Sequence, residues 1–139
     1  MHALPRLTLS LIAAFTLLMA AGCTPLGQLK RATQQDRGDF YSSLAVEYLA
    51  FAQSEAELAH EKNRDYFASK GLRANRHAEA EPENPADWDI NADTTQELIN
   101  ARNRLMAVRT EFLMRVASQQ VARAQLLYDC WVVQTANGT

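Results

Sequence analysis

Leu98, Ala101, Leu105, Val108 and Phe112 follow one another at steps of three and four. Apolar positions at that spacing form one stripe along a helix, and the stripe must be covered by another element. The spacing returns in a last segment at Val121, Ala124, Leu127, Tyr128 and Trp131. Arg102, Arg104 and Arg109 fall away from the first stripe. Asp93 or Thr94 caps its start, and Thr94-x-x-Glu97 reads as a capping box. Between Arg115 and Gln120 the pattern drifts, and Ser118 offers a new cap.

Upstream, Leu44, Tyr48, Phe51 and Leu58 recur at helical spacing, with Ala45, Ala52, Ala56 and Ala59 beside them and Ser42 or Ser43 as the cap. A second, weaker stripe follows Asn63, the candidate cap, through Phe67, Leu72, Ala74 and Ala78, and Gly71 weakens it further. Two helices joined by so few residues make an antiparallel hairpin. It looks like a single tetratricopeptide-type unit, but solenoids need about three copies and no second copy is evident. The remaining helices must cover it. Five glycines, four prolines, abundant alanine and no β-branched runs favour helices throughout. The expected class is therefore all-α: a small bundle of about four helices over residues 40–134, with a disordered tail at 135–139.

Glu79 to Glu97 holds seven acids, no Lys or Arg, and Pro82 and Pro85, which marks a loop. Asp87, Asp89, Asn91 and Asp93 match the first four oxygen-ligand positions of a calcium-binding EF-hand loop. The match then fails: the glycine position is Ala92, and the bidentate carboxylate position is Leu98. A helix start is the better reading, and no metal is expected. Trp88 in this loop is either a partner-binding anchor or a ring folded back over the core.

The chain opens with Arg6 and no acid, then an almost wholly apolar run from Leu7 to Ala21, then small residues before Cys23. That is the layout of a secretory signal over residues 1–22. The run of roughly 15 residues is shorter than the roughly 20 a spanning helix needs. Met19-Ala20-Ala21-Gly22-Cys23 resembles a bacterial lipobox, with Ala20 where leucine is usual. The resemblance implies cleavage between Gly22 and Cys23, with diacylglycerol on the Cys23 sulfur and an acyl chain such as palmitate on its new amino group. An ordinary signal, leaving Cys23 a plain thiol, and a retained anchor are the alternatives. Thr24 in place of aspartate favours the periplasmic face of the outer membrane over the inner membrane. Residues 23–39 are polar with little periodicity and read as a flexible tether, in which Lys30, Arg31 and Arg37 either touch anionic head groups or are simply solvated.

Losing Arg6 with the leader leaves 13 basic against 16 acidic residues, a net of −3. Nothing there suits nucleic acid. With Cys23 lipidated, Cys130 stands alone, either for intermolecular pairing or as a small buried residue. His60-Glu61 is not followed by the second histidine a zinc helix needs, and no nucleophile–base grouping can be argued from spacing. Glu55, Glu57 and Glu61 read as solvated. No catalytic residue, small-molecule substrate or cofactor beyond the acyl groups is expected.

Ala101, Arg102, Arg104 and Leu105, then Ala122 to Gln125 and Asp129-Cys130-Trp131 resemble the helical N-terminal region of alphaproteobacterial OmpA-family lipoproteins. The resemblance implies a lipid-anchored envelope protein. That family continues into a second cysteine, the expected partner of the Cys130 position, and a domain that grips peptidoglycan. Neither is present up to Thr139, so peptidoglycan binding is not carried over. The expected function is a lipid-anchored structural or interaction module, with an envelope protein or a second copy as partner and Trp88 and Trp131 as contact candidates. The alternative is a subunit of a larger envelope complex linked through Cys130.

Overall fold

The computed structural model describes residues 24–35, 37–78 and 80–138. Cys23 and the leader lie outside the described residues. Six α-helices and no strands occur among those described: α1 Pro25–Ala32, α2 Phe40–Glu57, α3 Glu61–Asn75, α4 Ala92–Val108, α5 Glu111–Val116 and α6 Ser118–Asn137, with a short 3-10 turn at Pro85–Asp87. The all-α class and the α2–α3 hairpin stand as expected; the number of helices exceeds the four read from periodicity.

The first extra helix takes up about half of the expected tether, eight residues of it. Thr24 caps α1 by accepting from the Gly27 amide at 3.1 Å, and Pro25 occupies the first turn, where its missing N–H costs nothing. Lys30 and Arg31 sit in the last turn, beside the negative end of the helix dipole. Leu29 is fully buried against α2 and α3. Gly71 makes this possible. A Cβ built there would stand 2.6 Å from Leu29 Cδ2 and 3.1 Å from Tyr48 Cβ. The glycine that weakens the sequence stripe is the seat that lets α1 approach.

The caps shift from those expected. Asp39 caps α2 through the Ser42 amide at 2.8 Å, and Asn91 caps α4 through the Thr94 amide at 3.0 Å. His60 precedes α3 without a capping bond, while Asn63 turns back towards Glu55. Ala117, not Ser118, stands at the cap of α6. That helix runs through the segment read as a tail and stops at Gly138, whose φ of +72° suits glycine.

The main core gathers Leu29, Phe40, Leu44, Tyr48, Phe67 and Leu126, with alanines 45, 52, 68, 74 and 122 where helices cross closely. Leu98, Leu105, Tyr128 and Val132 form a second cluster where α4 meets α6, and Trp88 packs against both. The long apolar seam breaks at Arg109: Thr110 caps α5 through the Leu113 amide, and Phe112 is left 60% exposed. On α6 the buried stripe is rotated from the one expected. Leu126, Asp129, Cys130 and Val133 face inward, while Leu127 and Trp131 are exposed.

If residues 24–39 were a tether, Leu29→Ala would change stability by less than about 0.5 kcal/mol. Docked as described, it should cost about 2–5 kcal/mol, read as a lowered midpoint in urea.

Candidate functional site

Three charged side chains converge inside the bundle. Lys70, on the inward face of α3, is 2% exposed, and Asp129, on α6, is fully buried. Glu83 arrives from the irregular segment between α3 and α4. The Lys70 ammonium bonds Asp129 Oδ2 at 2.9 Å and also pairs with Glu83 Oε1. Each carboxylate then collects further donors. Asp129 accepts from the Tyr48 hydroxyl and from the Glu83 amide, the latter at 2.8 Å. Glu83 accepts from Tyr66 Oη at 2.7 Å and Trp88 Nε1 at 3.1 Å.

The surrounding backbone is fastened in the same way. Gln125 Nε2 donates to the Ala80 carbonyl at 2.6 Å, and Arg102 Nε to the carbonyls of Pro82 and Glu83 at 3.3 and 3.1 Å. Tyr128 Oη donates to the Glu83 carbonyl at 3.2 Å. The segment read as an acidic loop is thus a strap laid across α3, α4 and α6. Arg102 and Arg109, expected on the outer face, are recruited to it. The Arg109 side chain is 6% exposed, pairs with Glu81 at 2.7 Å and lies 5.4 Å from the Phe40 ring.

Electrostatics separates the two acids. Burial raises Glu83, but the Lys70 charge and the three donors outweigh it and hold the carboxyl below its ordinary range. For Asp129 burial wins, and its carboxyl is pushed up despite Lys70 and Tyr48. Tyr48 and Tyr66 are pushed up by burial and by the acids they bond, which keeps them as proton donors.

The anticipated residues lie elsewhere or play other parts. Trp88 folds back: its ring meets Tyr66 edge-on, 5.8 Å between centroids, and its indole N–H serves Glu83. Asp87 bonds Asn84, and Asn91 is spent on the α4 cap, so the EF-hand-like ligands are dispersed. No group of three metal-ligating side chains occurs among the described residues. Cys130 is a free, buried thiol whose pKa burial pushes up to about 12. Trp131 and Leu127 border a groove of about 560 Å³ between α2 and α6, with Phe51 and Cys130 at its base. Glu57 and Glu61 are exposed as expected, but Glu55 is buried.

Sequence reasoning missed Lys70, Glu83, Asp129 and Gln125. One signal was available: Gln125 and Asp129 stand four apart within the Val121-to-Val133 stretch, a polar stripe embedded in apolar sequence. No described helix is long and apolar enough to cross a membrane. Comparison with protein-family models, curated proteins and solved structures finds no match for the chain.

Removing the cation would strand two buried carboxylates. Lys70→Met should cost about 3–5 kcal/mol in chemical denaturation. Glu83 stabilises above its unfolded value of about 4.3, and that contribution is lost as pH falls through its lower folded value. Glu83→Gln should therefore flatten the acid side of the stability profile below about pH 4.5. An unchanged acid limb would refute this assignment.

Proposed function

We propose that the chain is a bacterial envelope lipoprotein, a helical module held to a bilayer by acyl chains on Cys23 and working through protein contacts rather than catalysis. The observation that carries this reading is a junction. An apolar leader ends in Ala20-Ala21-Gly22-Cys23, and the next residue, Thr24, is already the cap of a docked helix. Processing between Gly22 and Cys23 would remove the leader and leave the folded domain bonded directly to the acylated residue. One chain anchors only marginally, whereas several on one residue hold firmly. Thr24 in place of aspartate supports the periplasmic face of the outer membrane.

The interaction half of the reading is supported by the α2–α6 face. Leu127 and Trp131 are exposed large apolar residues lining an open groove, and Val46 is exposed on α2. The OmpA-family resemblance points the same way, to an envelope partner. A larger complex linked through Cys130 is less well supported: a buried thiol held up to about pH 12 offers little thiolate for disulfide exchange. Docking on that face would be non-covalent.

Intact mass spectrometry of detergent-extracted protein decides the anchor. The expected species begins at Cys23 and carries diacylglycerol plus one amide-linked acyl chain. Cys23→Ser should accumulate as the full-length precursor. A product retaining Met1, or one with an unmodified Cys23, would overturn the reading.

A further inference from the structure

The turn joining α2 to α3 borders a second groove, of about 890 Å³, bounded on its other side by Trp88 and the end of α6. Glu55 lies in its lining, with a side chain only 6% exposed. One of its oxygens, Oε2, takes both donors that reach it: His60 Nδ1 at 3.2 Å and Asn63 Nδ2 at 2.8 Å. The other, Oε1, accepts no hydrogen bond among the described residues, yet it is not among the sealed, unpartnered atoms of the interior. A carboxylate this deep ordinarily has both oxygens satisfied or a cation beside it. Here one oxygen is left to the groove.

The rest of the lining suits a particular guest. Tyr66 and Trp88 set two ring systems nearly perpendicular, at 83°, along one wall. Leu58 and Val133 add apolar surface. Apart from His60, the charged lining is Glu55, Glu61 and Lys62, an excess of one negative charge. Carboxylate, rings and apolar wall together favour a positive head on a short greasy stem and disfavour an anion.

We infer that this groove binds a small organic cation, a primary ammonium or a guanidinium. Glu55 Oε1 accepts a charge-assisted hydrogen bond from the head. The rings of Tyr66 and Trp88 attract the same charge through their faces and pack against the stem. His60 and Asn63 hold the carboxylate in place by occupying its other oxygen. Nothing in this inference depends on acylation at Cys23.

The test uses the purified full chain, whichever form of its N-terminus is recovered, with Trp131→Phe, which leaves Trp88 as the only tryptophan and hence the reporter. Butylamine and butylguanidinium should change its emission saturably, whereas butanol and butyrate should not. Nα-acetyl-lysine and Nα-acetyl-arginine methylamides, run alongside, separate a peptide side chain from a free amine as the source of the cation. Glu55→Gln keeps the shape and the two donors' acceptor but removes the charge; it should weaken binding about tenfold or more. Leu58→Lys, at an exposed rim position, should weaken it too by tethering a competing cation there. No saturable response to either cation, an equal response to butanol, or unchanged affinity in both variants would overturn the inference.

Discussion

A single ammonium group, that of Lys70, sits between two buried carboxylates, and much of the architecture is arranged around that fact. An unpaired charge in such a place would cost several kcal/mol. The chain instead assembles four donors from three elements: Tyr48 from α2, Tyr66 from α3, and the Glu83 amide and Trp88 from the strap. The bonds to Asp129 reach across the chain: Tyr48 is 81 residues away and the Glu83 amide 46. The network therefore cannot be completed until hairpin, strap and last helix have all arrived. Its net contribution to stability is modest, as it is for most buried ion pairs, but any wrong docking leaves a buried acid without a donor. Asp129 carries the greater burden, with burial lifting its carboxyl, while Glu83 is held ionised.

The strap also decides where Trp88 goes. Its indole N–H is claimed by Glu83, so the ring is fixed between the two apolar clusters and against Tyr66. A polar bond thus places an apolar side chain. The same division of labour recurs at the hairpin turn, where Ala59 adopts a φ of +59°. That left-handed conformation is uncommon for a residue with a Cβ. It carries His60 back to Glu55, with the His60 amide also bonding the Glu55 carbonyl at 2.9 Å.

Periodicity disclosed the helical class and the hairpin because both depend on apolar stripes, which a sequence displays directly. It placed Leu44, Tyr48, Phe67, Leu98 and Leu105 in the interior, where they are. It failed where burial runs against residue type. Lys70, Asp129 and Gln125 are inside because they satisfy one another across long sequence separations, and no local pattern carries that information. Arg102 and Arg109 were assigned outward by the same logic and are drawn in by carbonyls and an acid on the strap. The α1 helix escaped because its core contribution rests chiefly on one leucine, and Gly71 was read as a weakness when it is a point of contact. The grooves could not be foreseen at all, since they are defined by what fails to pack.

With α1 folded down, the distance between the proposed acyl anchor and the bundle shrinks from a flexible reach to a single residue. This changes what anchoring accomplishes. A long tether lets a domain tumble and sample partners in every orientation, at an effective concentration that falls with tether length. A lipid bonded next to the Thr24 cap, on the proposed reading, restricts the bundle to a narrow layer and limits which faces turn outward. On that reading, contacts too weak to hold in solution would suffice for a partner confined to the same surface. Leu127 and Trp131, exposed on α6, would offer an apolar contact of that kind. On the proposed reading, a short link between lipid and bundle and a weak contact face would complement each other, because confinement to one surface raises the effective concentration that such a face needs.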